Sequence, residues 1–246
     1  MAESLAAFLA GARIDDAVFA LRPDYRAVLL AVDGLVPGPS DHAGQMLLRE
    51  AESLAAQSIS ELPVDQLPHI AAWREAYRAF GAKPQRTRNS VEALTRRAGS
   101  GLPRVNRLTD IYNAISVLHQ VPVGGEDLSR YNGSPQLIRA TGDESFDTMA
   151  DGLEIVENPE PGEVVWCDDA GVTCRRWNWR QARRTQLREN TTSALFILDA
   201  LGAMTDVQLH AAADDLAARL RGLGTNVLVE QRFMSSTSPK AEESAC

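Results

Sequence analysis

The hydrophobic period of this 246-residue chain changes once, near residue 120, and that change limits the fold more than any single motif. Before it, apolar residues recur at steps of three and four, the spacing of one helix face. In "HIAAWREAYRAFGAKP", Ile70, Trp73, Tyr77 and Phe80 share a face that Gly81 ends and Pro84 keeps from resuming. "HAGQMLLREAESLAAQ", capped by Ser40 or Asp41, and "NSVEALTRRAGS", capped by Ser90, read the same way. So does "RLTDIYNAISVLHQ", with Leu108, Ile111, Ile115 and Leu118 on its buried side. After residue 120, "QLIRATG", "GEVVWCDD" and "VTCRRWNW" read as strands separated by the turn-rich "ENPEPGE" and "DDAG".

The ends mix both periods. Ala27–Val32 is an apolar run readable as a buried strand, followed by the loop "DGLVPGPSD". "TSALFILDAL" fits a strand or a short helix equally well. "TDVQLHAAADDLAARLRGLG" predicts an amphipathic helix capped by Thr205 or Asp206, and "TNVLVEQRFM" closes as a strand. We expect one compact α+β domain without repeats: an N-terminal α/β extension over 1–69 packed on it, the main domain over 70–233, and a small, polar, disordered tail over 234–246.

No apolar run reaches the ~18 residues of a membrane span, and the N-terminus lacks a basic secretory n-region, so a cytoplasmic protein with no membrane partner is expected. Cys167, Cys174 and Cys246 are an odd, sparse set; Cys167 and Cys174 flank a hairpin turn and read as reduced thiols on neighbouring strands. His42, His69, His119 and His210 stand at no ligand spacing from the cysteines, so no metal is expected. P-loop, G-x-G-x-x-G, G-x-S-x-G and H-E-x-x-H signatures are absent, and no cofactor is expected.

Charge is distributed unevenly. The chain carries a formal −8, yet Trp73–Arg107 holds nine Lys/Arg against two acids, and Val172–Arg188 holds six Arg against none. Each island is either a solvated face or, if the two meet, a patch suited to a polyanion such as RNA. Three smaller constellations bear chemistry. Asp110, Asn113 and Ser116 share a helix face, either binding a ligand or turned to water and caps. Glu126 and Asp127 follow Gly124–Gly125 at an expected helix start, where acids are favoured by the helix dipole anyway. In "CRRWNWRQ", strand alternation would put Arg176, Asn178 and Arg180 on one face and Arg175, Trp177 and Trp179 on the other. The tryptophans are then core, or a pocket wall beside guanidinium groups that hold phosphate or carboxylate.

The ordered set "WREAYRAFG", "RNSVEALTRR", "LPRVNRLTDIYNAIS", "VPVGGEDLSR", "GEVVWCDDAGVTCRRWNWR" and "TQLRENTTSALFILDA" resembles the free-standing B3/B4-domain proteins, which are similar to the B3/B4 editing module of the bacterial phenylalanyl-tRNA synthetase β subunit. The resemblance spans about residues 70–230. It implies an α+β, three-layer domain with a central β-sandwich of unusual topology flanked by helices. It also implies a trans-acting deacylase that cleaves the ester of a mischarged aminoacyl-tRNA at its acceptor end, with no DNA partner. The alternatives are a non-catalytic tRNA- or amino-acid-binding module of the same fold, or an enzyme acting on a small amino-acid derivative.

Residue by residue, the module's D-x-T-N segment falls on "DIYN", so Asp110 and Asn113 match while Tyr112 replaces a pocket threonine. Its pocket histidine falls on Gly124 or Gly125, and the acid that follows is kept as Asp127. Its glycine-rich stretch, with a tyrosine-recognising glutamate, falls on "RRWNWRQARRT", which holds no carboxylate. Its closing T-x-N-T-T-like segment is kept as Glu189, Asn190, Thr191 and Thr192. Without a Ser-His-Asp set or a metal site, hydrolysis would need a bound water, an oriented ester and donors to the oxyanion. The candidate catalytic groups are Asn113 and Asp127, which the resemblance keeps, with Glu126 and Arg180 beside them. Tyr112, Trp177, Asn178, Trp179, Thr185 and Thr192 would bind substrate. Arg86, Arg88, Arg96, Arg97, Arg175, Arg176, Arg183 and Arg184 would meet the tRNA. A smaller or polar amino acid, not tyrosine, is the expected cargo.

Overall fold

The computed structural model describes residues 2–236, and the elements below are those among them. In chain order they are α1 (Ala2–Ala10), β1 (Arg13–Ile14), α2 (Asp16–Leu21), β2 (Arg26–Asp33), α3 (His42–Glu61), α4 (Pro68–Ala79), α5 (Ser90–Ala98) and α6 (Arg107–Leu118). The β-rich half follows with β3 (Val123–Asp127), β4 (Gln136–Arg139), β5 (Phe146–Ala150), β6 (Leu153–Glu157), β7 (Val164–Asp168), β8 (Gly171–Arg175), β9 (Arg180–Gln181) and β10 (Ala194–Ala200). The elements end with α7 (Asp206–Arg221) and β11 (Leu228–Ser235). Met234 and Ser235 belong to the last strand; residues 237–246, with Cys246, lie outside the described residues.

Two main sheets and a helical layer make the body of the molecule, with the two-stranded β5–β6 sheet beside them. One sheet runs β11-β2-β10-β3, antiparallel throughout; the other runs β1-β4-β7-β8-β9, with only β1 and β4 parallel. β2 shows how the layers form. Val28, Leu30 and Val32 pack with α3, α6 and α7 residues, while Ala27, Leu29 and Ala31 pack with Trp166, Cys174 and Trp177 beneath the second sheet. β10 alternates likewise, Phe196 and Leu198 toward the helices and Leu195 and Ile197 between the sheets. Strands buried on both faces read as continuous apolar runs. That is why "ALFILDA" shows no period, and it is a strand. The result is the expected three-layer α+β architecture, a β-sandwich with helices outside.

Caps follow from local chemistry. Asp41 accepts from Gly44 N at 2.8 Å to start α3, and Thr205 with Gln208 forms a capping box on α7. α5 is capped by Asn89, not Ser90, because Asn89 Oδ1 reaches Glu92 N at 2.9 Å. Two further expectations change. Gly124 to Asp127 are strand, not loop and helix start, since β3 pairs with β10 from Val123↔Leu198 to Asp127↔Ala194. Gly125 fits there because a Cβ would stand 2.8–2.9 Å from Leu187, Phe196 and Tyr112 side-chain atoms. The strand of "VTCRRWNW" ends at Arg175, and Arg176 and Trp177 turn through φ of 49° and 68°, which breaks the expected alternation. The hairpin β5–β6 was not anticipated. Its Asp151–Gly152 corner, both at positive φ, is the Asp-Gly pair typical of tight hairpins.

Candidate functional site

A cavity of about 250 Å³ opens between the two sheets beside α5 and α6. β3 supplies Gly124 and Glu126; β10 supplies Ile197 and Asp199 on the same face. α6 adds Tyr112 and Asn113, α5 adds Ser90, Ala93 and Leu94, and the second sheet adds Trp166, Cys174 and Gln181. The turn after β8 completes it with Trp177, Asn178 and Trp179. Gly124 keeps the middle open: a Cβ there would meet only Gln181 Nε2, at 3.3 Å.

That turn has two consecutive non-glycine residues in the left-handed region, a costly conformation that must be held by its surroundings. Glu163, buried to 2% exposure, holds it. Its two oxygens accept from Arg175 Nε and Nη2, both at 2.9 Å, and Oε1 also accepts from Arg176 N at 3.1 Å. Arg175 Nη1 donates to Glu157 at 2.9 Å, and Arg176 Nη1 to Thr87. Trp177 N donates to Val164 O at 2.7 Å. Trp177 is thereby seated among Tyr25 and Trp73, ring centroids 5.0 and 5.2 Å away. Trp179 stays half-buried, with the Arg176 guanidinium 4.5 Å and that of Arg180 5.9 Å from its ring.

Two buried acids face the cavity. Burial pushes the Glu126 carboxyl up to about 7, against the lowering effect of its hydrogen bond from Tyr131. Burial likewise raises Asp199 to about 7. Asp199 Oδ1 accepts from Tyr25 OH at 2.6 Å and Oδ2 from Asn178 Nδ2 at 3.2 Å, while Asn178 Oδ1 accepts from Tyr77 OH at 2.9 Å. Asn113 makes no side-chain hydrogen bond among the described residues, so its amide is available to a ligand.

Of the residues singled out in the sequence, the cavity brings together Tyr112, Asn113, Glu126, Trp177, Asn178 and Trp179. Asp127 is elsewhere: it faces the helical side, accepting from Ser129 N and Oγ at 3.0 and 2.6 Å and from Thr191 Oγ1 at 2.8 Å. Thr185 is buried outside the lining and receives Asp127 N on its carbonyl; Thr192 is exposed. Arg180 sits beside the cavity, half-buried, donating to Met149 O at 3.1 Å. On α6, Asp110 accepts from Val105 N at 2.8 Å and Ser116 donates to Val121 O at 2.6 Å, so both serve the fold.

The arginines divide. Arg175 is buried in its carboxylate cage, and Arg184 grips Asp168 through both terminal nitrogens at 2.8 and 2.9 Å. Arg183 pairs with Glu154, and Arg96 with Glu92 at 3.0 Å. Arg86 and Arg97 are exposed with no ion pair among the described residues, and Arg88 stands 3.9 Å from Glu92. Sequence reasoning missed Asp199, Trp166 and Gln181. The available signal was Asp199 itself, the one charge inside an apolar run.

Cys167 and Cys174 are free thiols, and burial raises Cys167 to about 12. Among the described residues no group of three metal-ligating side chains is gathered, and no helix is long and apolar enough to cross a membrane.

The molecule is thus an α+β sandwich with an acid- and tryptophan-lined cavity between its sheets. The B3/4 domain matches residues 72–220, more than half of the chain, which belongs to that family. A solved structure similar to it is an N-terminal fragment of the phenylalanyl-tRNA synthetase β-subunit from Pyrococcus horikoshii, at 12% identity and a TM-score of 0.45. That alignment covers 93% of this chain and 55% of the fragment. No curated protein matches the chain.

Proposed function

We propose that the cavity receives the acyl group of an aminoacyl ester at the acceptor end of a tRNA and that the protein hydrolyses that ester in trans. The observation that carries this reading is the convergence of Asn113, Glu126, Trp177, Asn178 and Trp179, all candidates on chemical grounds in the sequence, on one cavity. Glu126, with a carboxyl near 7, is suited to take a proton from water at neutral pH. The water oxygen bonds to the ester carbonyl, and the Asn113 amide donates to the developing oxyanion. The carbon–oxygen bond to the ribose then breaks, and the ribose oxygen takes the proton back from Glu126.

The RNA surface in this reading is the α4–α5 connection and α5, where Arg86, Arg88 and Arg97 flank the segment whose Ser90, Ala93 and Leu94 line the cavity. Arg180 joins them from the other side of Trp179. Arg175 and Arg184 are left to the fold. A deacylation panel tests the reading: the protein against tRNAs carrying each amino acid, with Glu126→Gln alongside. Release of one or a few amino acids, reduced about 10²–10⁴-fold in the variant, is expected. Background rates for every charged tRNA would sink it. The engagement of Asp127 by Ser129 and Thr191 leaves a single acid for catalysis at that strand end and favours, as the second reading, tRNA binding without turnover.

A further inference from the structure

We propose that Asp199 is the counter-ion for the ammonium group of the cavity's ligand, so that the cavity selects a free primary amine whose neighbouring carboxyl is masked as an ester or amide. The inference rests on reading this cavity as the acyl site. Among the described residues no Lys, Arg or His lines it; the guanidinium groups of Arg176 and Arg180 lie against Trp179 and not within the lining. Asp199 faces only neutral donors, Tyr25 OH on one oxygen and Asn178 Nδ2 on the other, with the Trp166 indole N–H close by. A carboxylate offers about four acceptor positions, so Asp199 keeps capacity for a further donor. Tyr77 fixes the Asn178 amide in turn, and the Asp199 carboxyl is therefore oriented before any ligand arrives. Trp166 and Trp177 line the cavity beside it, in a wall of low polarity where the charge pair is poorly screened.

Spacing separates the roles of the two acids. Glu126 pairs with Leu195, Gly124 with Ile197, and Asp199 lies one further step along the same face of β10. Four residues of strand put their Cα atoms about 14 Å apart. Their side chains close part of that gap, but the two do not share one ion. The distance suits a chain of contacts: ammonium on Asp199, α-carbon, carbonyl carbon, and a water held by Glu126. With hydrogen bonds of about 2.8 Å, an amine-to-carbonyl-carbon distance of about 2.5 Å and an attack distance of about 3 Å, that chain spans about 11 Å. A free carboxylate in the same place would meet an acid at each end and no cation. An acylated amine would leave Asp199 without its counter-ion.

The test uses the intact protein and ligands that cannot turn over. Amides of the common amino acids, the corresponding free amino acids and the N-acetyl amides are titrated by calorimetry and by the fluorescence of the lining tryptophans. One or more amides should bind, with the free acids and N-acetyl amides at least about 30-fold weaker, and Asp199→Asn should weaken amide binding by about the same factor while leaving the melting temperature near native. Equal binding of the free acid or the N-acetyl amide, no binding of any amide, or an Asp199→Asn variant that binds as well as native would overturn the proposal. Should that variant not fold, the ligand series on the native protein decides alone. Amide selectivity without ester hydrolysis would remove the deacylase reading and leave this one standing; hydrolysis without amine selectivity would do the reverse.

Discussion

Glu163→Ala should cost more stability than any change at the cavity itself, because one buried carboxylate sets the turn that carries three lining residues. Its removal takes two hydrogen bonds from Arg175, one from the Arg176 amide, a longer one from Glu160 N at 3.4 Å and the weaker 3.5 Å contact with Arg176 Nε. Breaking a buried ion pair from one side costs about 3–5 kcal/mol. Glu157, still 2.9 Å from Arg175 Nη1, offsets part of that, which places the expected loss near the lower figure. Arg176 and Trp177 stay turned by the remaining contacts, Arg176 with Thr87 and Trp177 N with Val164 O, so little of their left-handed strain is released to offset the loss. At about 2–4 °C per kcal/mol for a domain of this size, the melting temperature should fall by about 6–12 °C. Glu163→Gln, which keeps an acceptor for the Arg176 amide, should lose less. Glu154→Ala, at the exposed pair with Arg183, should melt like the native protein. Calorimetry on the three variants is the assay. A Glu163→Ala protein melting within about 2 °C of native would refute the claim that this carboxylate holds the turn.

The two glycines of β3 should respond oppositely to alanine. Gly125→Ala brings a Cβ within 2.9 Å of Leu187, Phe196 and Tyr112 and should destabilise by about 1–3 kcal/mol in urea melts, whereas Gly124→Ala meets only the end of Gln181 and should fold normally while weakening ligand binding. His69 is buried neutral, its ring accepting from Leu201 N at 3.0 Å and donating to Gln120 O at 2.8 Å, and burial lowers it from 6.5 to about 4. A depressed histidine favours the fold above the unfolded value and loses that contribution as pH falls from about 6.5 to about 4, by about 3 kcal/mol in all. Urea melts of native and His69→Gln protein at pH 7 and pH 5 should therefore converge as the acid is added; a constant difference would refute this. If Glu126 is the base, the rate of ester hydrolysis should rise with pH to a plateau above about 7, and Glu126→Gln should flatten the curve as well as lower it. A native profile flat from pH 5 to pH 8 would remove Glu126 from that role.

What the sequence discloses here depends on whether the partner of a residue is near or far along the chain. The helices of the first half were legible because periodicity and caps are local: Asp41 reaches only to Gly44, and Ile70, Trp73 and Tyr77 lie on one turn after another. "ALFILDA" was ambiguous for the reason that makes it a central strand, burial of both its faces. Gly124–Gly125 read as a turn because glycine usually signals backbone freedom, yet Gly125 is there for its close approach to Leu187, Phe196 and Tyr112, side chains from other parts of the chain.

The same distinction decides the arginine-rich stretch of this acidic chain. Counting charge from Val172 to Arg188 finds no carboxylate, but the carboxylates arrive from β7, from the hairpin β5–β6 and from the segment joining them. Glu163 answers Arg175 and Arg176, Glu157 answers Arg175, Glu154 answers Arg183, and Asp168 answers Arg184. Within the stretch, Arg180 and Arg188 keep no such partner among the described residues. Much of the positive charge therefore serves to bend and clamp the backbone that presents Trp177, Asn178 and Trp179, and an RNA would find its free cations mainly on the α4–α5 connection. Alanine at Arg86 and Arg97 should accordingly reduce the salt dependence of tRNA binding, by about one unit of slope for each phosphate no longer neutralised, and leave melting unchanged, whereas alanine at Arg175 should unfold the turn before it affects any phosphate.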